Sequence, residues 1–243
     1  MENRLICCDA IKWLSSPRWA KCHMIFADPP DSIGLKYKGY KDKTSEDDYH
    51  TLLYSILTMG SQKADVMWLS INPIHTALIG RLTYDFLADK PDWQFKPCVQ
   101  TFTFGQNNSR DLGIGHRLLY RYMRKDTKLY PERILVPSWR QLNGDKRANP
   151  AGRVPLDVFD FPRVTGNSKQ RRNFSPTQLH EGLYERCIRL CCKPGSEVCD
   201  LFAGSGTLGR VGERCEVNTT MLEISRETCD NILADQPTCK ELK

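Results

Sequence analysis

Short apolar runs that end on an acidic residue recur along the chain and alternate with segments of helical periodicity. Residues 4–8 are followed by Asp9, residues 24–27 are followed by Asp28, and a third run ends on Asp200. Alternation of buried strands with helices is typical of an α/β domain with a parallel sheet. Because ligands bind at the carboxyl edge of such a sheet, we expect the three acids to face one crevice. A helix cap is the alternative role for Asp9.

The spacing of apolar residues predicts the remaining elements. The predicted helices cover residues 10–14, 49–57, 74–87 and 175–192, and the further strands cover residues 65–71, 99–104 and 219–222. The last helix carries a start signal, with Ser175 as N-cap, Pro176 at the first helical position and Gln178 completing a capping box. This start would bring free N–H groups close to the glycine-rich turn that follows the helix.

That turn lies within residues 196–209, SEVCDLFAGSGTLG. Gly204 and Gly206 allow a sharp turn and a close approach of a ligand to the backbone. With Gly209 they match the dinucleotide-binding pattern GxGxxG, and Glu223 follows at the distance of an acid that holds ribose hydroxyls. Only a short tail follows Glu223, so we expect the rest of the sheet to come from upstream.

The tripeptide Asp28-Pro29-Pro30 follows the strand at residues 24–27. Two prolines cannot continue a ladder of hydrogen bonds, and they fix the backbone φ angle. The Asp28 carboxylate and the Pro29 carbonyl should therefore project rigidly beyond the edge of the sheet. As a tripeptide alone, this sequence could also be an ordinary turn.

Residues 31–43, DSIGLKYKGYKDK, form a basic segment with no clear period, which we interpret as a mobile loop beside the crevice. Its lysines could contact phosphates. Either Tyr37 or Tyr40 could stack on a nucleic-acid base. The alternative is an exposed loop with incidental tyrosines.

Composition adds a charge asymmetry to this picture. The 243 residues are 40% hydrophobic and 26% charged, as in globular proteins with one sizeable core. The net charge of +6 is concentrated in residues 105–173, which hold 15 Lys and Arg against 6 Asp and Glu and appear irregular in pattern. Aromatic residues among these arginines favour an insertion that faces nucleic acid. A solvated basic face is the alternative interpretation.

The cysteines and the hydropathy pattern exclude several classes of protein. Eleven cysteines are present, but no CxxC pair and no metal-ligand spacing occurs. We therefore expect reduced thiols, no metal site and a cytosol-like compartment. Neither a signal peptide nor a membrane-spanning stretch is expected.

The combination of DPP, the sequence SPTQ, the turn DxFxGxGT and the acid after it resembles the amino-methyltransferases of DNA, in the permuted order called the beta group. The stretch at residues 157–206 resembles that family nearly throughout, and the resemblance covers about residues 4–31 and 153–223. It implies a Rossmann-like α/β fold with a mostly parallel sheet of the seven-stranded type. It also implies S-adenosylmethionine as cofactor and a recognition region inserted between the two halves.

The resemblance implies a role for each motif. Asp28, Pro29, Pro30 and Asp31 match the catalytic motif. Glu223 would hold the ribose hydroxyls, and Asp9 would lie near the adenine. The full set of cofactor-binding residues it implies is Asp9, Ser175, Thr177, Gln178, Asp200, Phe202, Ala203, Gly204, Ser205, Gly206, Thr207 and Glu223.

An exocyclic amine is a poor nucleophile because its lone pair is conjugated with the ring. The Asp28 carboxylate and the Pro29 carbonyl could accept its hydrogens and leave the lone pair aimed at the methyl group, after the base has flipped out of the duplex. The family has an aromatic residue at the fourth motif position, where this chain has Asp31. In order of preference, Tyr37 or Tyr40 supplies the stack, Asp31 adds an acceptor, or the site is impaired.

The resemblance therefore implies a site-specific methyltransferase for adenine N6 in double-stranded DNA, since an aspartate leads the motif. The alternatives are cytosine N4, an RNA or protein substrate, and a catalytically silent DNA-binding module. We expect residues 1–80 to form the catalytic half, 81–170 the target-recognition region and 171–243 the cofactor-binding half. A homodimer, a cognate restriction endonuclease and the cytoplasm of a bacterial or phage-infected cell fit the same interpretation.

Overall fold

The computed structural model describes residues 1–37, 40–103 and 108–242, without the side chains of residues 37, 40 and 41. The strands are β1 (Asn3–Cys7), β2 (Met24–Ala27), β3 (Lys36–Tyr37), β4 (Tyr40–Lys41), β5 (Val66–Ile71), β6 (Trp93–Thr101), β7 (His116–Arg124), β8 (Val158–Asp160), β9 (Glu197–Asp200), β10 (Asn218–Glu223) and β11 (Lys240–Leu242). The α-helices are α1 (Ala10–Ser15), α2 (Glu46–Lys63), α3 (Thr76–Asp89), α4 (Trp139–Leu142), α5 (Glu181–Cys191), α6 (Thr207–Arg214) and α7 (Arg226–Asp235).

A mixed sheet in the order β11-β1-β10-β9-β2-β5-β7-β6-β8 forms the centre of the protein. Within this sheet β7 is antiparallel to both of its neighbours, and the other recorded pairs are parallel. The expected mostly parallel α/β fold is confirmed, although the sheet has nine strands where a seven-stranded type was expected. β3 and β4 form a separate hairpin within the segment predicted as a loop.

The central strands are buried on both faces, which explains why they are continuous apolar runs in the sequence. In β2, Met24 and Phe26 pack into the core beneath α5 and α6, whereas Ile25 and Ala27 pack into the core beneath α1, α2 and α3. Neighbouring side chains of a strand point to opposite faces, so one short run supplies both cores. Helices therefore cover both faces of the sheet.

The parallel pairing brings the predicted acids to one edge of the sheet. Phe26 is paired with Asp200, and Cys7 is paired with Glu223. The residues after β1, β2, β9 and β10 consequently leave the sheet side by side. This is the edge at which ligands bind in open α/β sheets.

The predicted start of the last long helix at Ser175 is wrong. α5 begins at Glu181, and the side chain of His180 caps it by accepting a backbone N–H of the first turn. Gln178 makes no capping box, because its side-chain oxygen accepts the Arg172 N–H at 3.0 Å and its side-chain nitrogen donates to the Gln170 carbonyl. Tertiary contacts thus use the groups that the local pattern assigned to a cap.

The segment predicted as irregular contains β7, which lies between β5 and β6 in the sheet. Its buried residues occur in adjacent pairs, Leu118 with Leu119 and Tyr122 with Met123, rather than at alternate positions. Arg121 lies between these pairs and Arg117 and Arg124 flank them, which hid the strand in the sequence. The predicted strand at residues 99–104 begins earlier, at Trp93, and ends at Thr101. Its predicted last residue, 104, lies outside the described residues.

The expected division of the chain at residues 81 and 170 remains a prediction. Three strands of the central sheet, β6, β7 and β8, lie inside this middle segment. The middle segment is therefore joined to the sheet by these three strands.

A pair of leucine-to-alanine variants compares the core with the surface. Leu183 on α5 has 0% exposure and Leu142 on α4 has 73%. Leu183→Ala leaves a cavity, so we expect it to lower the free energy of unfolding by about 2–5 kcal/mol. Leu142→Ala should change it by less than about 0.5 kcal/mol. Urea denaturation followed by circular dichroism measures both, and equal losses would contradict this description of the core.

Candidate active site

A cavity of about 830 Å³ lies at the carboxyl edge of the sheet. The glycine-rich turn forms one wall, and the DPP motif forms another. The predicted site residues that line it are Asp9, Asp28, Pro29, Pro30, Asp31, Ser175, Thr177, Gln178, Phe202, Ala203, Gly204, Ser205, Thr207 and Glu223. Asp200 and Gly206 are not among the lining residues. The roles assigned to all these residues remain predictions, although the fold brings most of them together.

Asp200 ends β9 beneath the turn and is fully buried. Its carboxylate accepts hydrogen bonds from the Tyr184 hydroxyl at 2.9 Å and from the Phe202 N–H at 3.0 Å. Burial raises the pKa of Asp200 to about 7. Its side chain therefore shapes the turn from behind and does not face the crevice as expected.

The turn after β9 has left-handed backbone at Gly204 and Gly206, with φ of 50° and 70°. A Cβ at Gly206 would lie 2.5 Å from the Gln236 side-chain nitrogen, so packing against the end of α7 requires glycine there. A Cβ at Gly204 would lie 3.4 Å from Ser175 Oγ. The turn and the segment at Ser175 are thus in close contact.

Glu223 joins the turn to the end of β10. One carboxylate oxygen accepts the Gly204 N–H at 3.1 Å, and the other accepts the Ser225 N–H at 2.9 Å. Burial raises the pKa of the Glu223 carboxyl. Each oxygen keeps a lone pair with which it can accept a ligand hydroxyl.

Asp9 has the helix-cap role that was the alternative interpretation, because it accepts the Lys12 N–H at 2.9 Å at the start of α1. It also lines the cavity. The cap uses one of its carboxylate oxygens, so the two roles are compatible.

Ion pairs hold the segment at Ser175 against the helices behind it. Asp235 on α7 pairs with Arg172 at 2.8 Å and with Arg210 at 3.0 Å. Arg210 also pairs with Glu181 on α5 at 3.2 Å. Ser175 itself is buried, and its hydroxyl donates to a carbonyl of its own segment. This network fixes the backbone of one cavity wall.

Arg117 on β7 connects the catalytic-motif residues and was missed in the sequence. Its guanidinium donates to Asp28 Oδ1 at 3.0 Å, to Asp31 Oδ2 at 2.8 Å and to Asp31 Oδ1 at 3.0 Å. Its Nε donates to Ser70 Oγ on β5 at 3.1 Å. The only sequence signal was the basic charge of a segment that was interpreted as irregular.

Asp31 is 6% exposed, and both of its carboxylate oxygens accept from Arg117. Oδ1 also accepts the Asn72 N–H at 3.3 Å, and the Asp31 carbonyl accepts from the His75 ring at 2.7 Å. The side chain of Asp28 is 21% exposed at the cavity. Burial raises the pKa of Asp28, while the charge of Arg117 opposes this rise.

The segment that follows the motif is held by Asp42, whose buried carboxylate accepts the backbone N–H groups of residues 32–35. Lys36 lies on the cavity wall beside it. The side chains of Tyr37 and Tyr40, predicted to stack on a target base, lie outside the described residues. Their role stays a prediction.

Within the described parts of the chain, no three His, Cys, Asp or Glu side chains are grouped so that they could hold a metal ion. None of the helices described there is long and apolar enough to cross a membrane. The eleven cysteines carry free thiols.

The buried Asp200 gives a pH dependence that can be measured. Its folded pKa of about 7 lies above the ordinary value of 3.8, so folding loses stability as pH rises through about 7. Asp200→Asn cannot ionise. Its amide oxygen can still accept the Phe202 N–H, and its amide nitrogen can donate to the Tyr184 hydroxyl oxygen. We expect the free energy of unfolding of the variant, relative to that of wild type, to be higher at pH 8 than at pH 5. Urea denaturation of the cofactor-free protein measures this difference. A stability difference that does not change with pH would contradict a raised pKa.

Curated relatives cover most of the chain. It is 27% identical over 250 aligned residues to the type II methyltransferase M.HpaI of Haemophilus parainfluenzae, covering 95% of this chain and 75% of the relative. It is 29% identical over 220 residues to the DNA adenine methyltransferase YhdJ of Escherichia coli K12, covering 84% and 72%.

Solved structures share the fold at lower identity. The M1.HpyAVI complex with S-adenosylmethionine superposes with a TM-score of 0.64 at 18% identity, covering 95% of this chain and 97% of that one. The cytosine-N4-specific PvuII DNA methyltransferase superposes with a TM-score of 0.71 at 14% identity, covering 96% and 86%.

The family model for N6/N4 methyltransferases, described as DNA methylase, matches residues 22–234. This match confirms the family that the sequence motifs resemble. It also confirms the expected methyl donor, S-adenosylmethionine, on which this family depends. The chain therefore belongs to the family of N6/N4 DNA methylases.

Proposed function

We propose that the protein is a site-specific methyltransferase that methylates adenine N6 in double-stranded DNA. The observation that carries the proposal is the placement of Asp28-Pro29-Pro30 and the glycine-rich turn on two walls of one cavity. They lie at the ends of the neighbouring strands β2 and β9. A methyl donor held by the turn and an amine held by Asp28 would then share one space.

The residues around the turn fit S-adenosylmethionine. Glu223 has lone pairs for ribose hydroxyls, and Asp9 lies at the end of β1, which pairs with the Glu223 strand. Residues 202–205 line the cavity, and Gly204 among them contacts Glu223 and lies close to Ser175. When bound, this cofactor supplies an electrophilic methyl group on a positively charged sulfur. The acids on the cavity wall suit that charge.

The DPP motif fits the acceptor side of the reaction. The Asp28 carboxylate is held by Arg117 and remains partly exposed to the cavity, where it can accept a hydrogen from an exocyclic amine. The Pro29 carbonyl is the proposed second acceptor, and it belongs to a lining residue. Two acceptors would orient the amine and reduce the conjugation of its lone pair with the ring. No covalent enzyme intermediate is needed.

A base in a duplex must flip out to reach Asp28, which costs unstacking energy that pocket contacts offset. Lys36 and Arg163 line the cavity, and Arg163 belongs to the basic segment at residues 105–173. We assign phosphate contacts to the part of this segment outside β7 and β8. Tyr37 and Tyr40 remain the proposed stacking residues.

Two features favour adenine N6 over cytosine N4. An aspartate leads the DPP motif, and the curated relative YhdJ is an adenine methyltransferase at 29% identity. The cytosine-N4-specific neighbour is 14% identical and supports the fold alone. Cytosine N4 is therefore the second outcome of the test below.

The bacterial type II relative at 27% identity supports a place in restriction-modification. We propose the cytoplasm of a bacterial or phage-infected cell as the location. We also propose a cognate endonuclease and a second copy of the chain as partners.

The first test is nucleoside mass spectrometry of unmethylated DNA after incubation with the protein and S-adenosylmethionine. We expect N6-methyladenine from the wild type. Asp28→Asn should lower its rate of formation about 10²- to 10⁴-fold, because the amide nitrogen cannot accept a hydrogen. Cofactor binding should persist, and Asp230→Asn on the exposed face of α7 is the matched control. N4-methylcytosine would overturn the base assignment, and the absence of any methylated base would overturn the reaction.

A second test addresses the cofactor wall. Glu223→Gln places an amide nitrogen opposite one backbone N–H and removes the charge. We expect the dissociation constant of S-adenosylmethionine to rise about 10- to 100-fold in isothermal titration calorimetry. Glu213→Gln on the exposed part of α6 should leave it unchanged. An unchanged constant in Glu223→Gln would exclude the ribose role.

A further inference from the structure

Most of the hydrogen-bond donors of Arg117 are already used within the protein, although this arginine lies at the edge of a ligand cavity. Four of its five N–H groups donate to Asp28, to both oxygens of Asp31 and to Ser70. Its side chain is only 19% exposed. A two-point contact of a guanidinium with a carboxylate fixes the direction of both groups. The cavity edge therefore contains one rigid cluster, which we call the Arg117 clamp: Arg117, Asp28, Asp31 and Ser70.

The clamp is built on rigid elements. Arg117 lies on β7 and Ser70 on β5, which are hydrogen-bonded neighbours in the centre of the sheet. Asp28 and Asp31 flank the two prolines that follow β2. Asp31 is held from behind by the Asn72 N–H. The position of Asp28 is thereby set by three strands rather than by its own loop.

The clamp also determines the local charge. When both carboxyl groups are ionised, the two carboxylates and one guanidinium leave one net negative charge. Other titratable groups around Asp28 are Asp200 on β9, Tyr184 on α5 and Tyr49 on α2, and His75 contacts Asp31. Of these groups Arg117 is the cation in direct contact with Asp28. Its loss would leave the buried Asp31 and the partly exposed Asp28 without their cationic partner.

We propose that Arg117 is a positioning residue for Asp28, and that Asp31 serves this arginine rather than the target base. Both Asp31 oxygens accept from the guanidinium, so Asp31 directs Arg117 and limits how strongly it neutralises Asp28. Asp28 Oδ1 accepts from Arg117, and the Ser70 hydroxyl also interacts with this carboxylate, which remains 21% exposed and keeps lone pairs for a ligand. The proposal rests on the proposed function only in that Asp28 then accepts from the target amine.

If the clamp acts in this way, removing the positive charge of Arg117 and removing the negative charge of Asp31 should shift the pKa of Asp28 in opposite directions. Arg117→Met removes the opposing charge and should raise the pKa of Asp28 by about 1–3 units. Asp31→Asn removes a like charge and should lower that pKa. Carbon-13 NMR of protein labelled at aspartate carboxyls measures it directly, with the Asp28→Asn spectrum used for assignment. The acidic limb of the pH dependence of kcat should move to higher pH in Arg117→Met and to lower pH in Asp31→Asn.

The matched control is Arg121→Met. Arg121 lies four residues along β7, with its guanidinium 5.7 Å from the ring centre of Trp68. It should not change the pKa of Asp28. Arg117→Lys keeps a charge without the fork of donors, so we expect a pKa near the wild-type value but a lower kcat. Full kcat in this lysine variant would overturn the orienting role.

The possible outcomes separate this proposal from the proposed function. The clamp is overturned if Arg117→Met and Asp31→Asn shift the pKa of Asp28 in the same direction, or if neither variant shifts it. Opposite pKa shifts with an unmoved acid limb support the clamp and contradict the use of Asp28 in methyl transfer. If Arg117→Met does not fold, Asp31→Asn decides: a lowered pKa supports the clamp, and an unchanged or raised pKa overturns it.

Discussion

Carboxylates gathered at one edge of a parallel sheet are the constraint on which this structure depends. Parallel strands bring Asp28, Asp200 and Glu223 together because each is at or just beyond a strand end. Removing such charges from water is costly unless each finds donors. The protein meets this cost in three ways: Arg117 binds Asp28, Tyr184 and a backbone amide bind Asp200, and two backbone amides bind Glu223.

These pairings give the acids different properties. Asp200 has no contact with the cavity, so burial raises its pKa and its donors stabilise the turn. Asp28 keeps partial exposure and a charged partner, which suits a group that accepts from a ligand. The recorded donors to the Glu223 carboxylate are backbone N–H groups, and Glu223 lines the cavity. An acidic residue thus serves structure at one strand end and lines the cavity at the others.

The two halves of the cavity are held by different means. The DPP wall is fixed by the Arg117 clamp, in which one side chain from the centre of the sheet reaches a loop. The wall at Ser175 is fixed by ion pairs among Arg172, Arg210 and Asp235 behind it. Both arrangements place charged groups away from bulk water, where they are screened less by salt.

The sequence by itself determined β9 and β10 of the cofactor half, the glycine-rich turn and the DPP motif, because short apolar runs and glycine or proline positions are local signals. It also indicated the family. It did not indicate β11, which follows Glu223 and pairs with β1 at the edge of the sheet. Only the tertiary structure showed that Ser175 does not begin a helix, that Asp200 lies beneath the turn and that β7 crosses the centre of the sheet. Arg117 meets Asp28 and Asp31 across 89 and 86 residues of chain. No periodicity can signal such a pairing, because strand order and long-range hydrogen bonds form only when the chain folds.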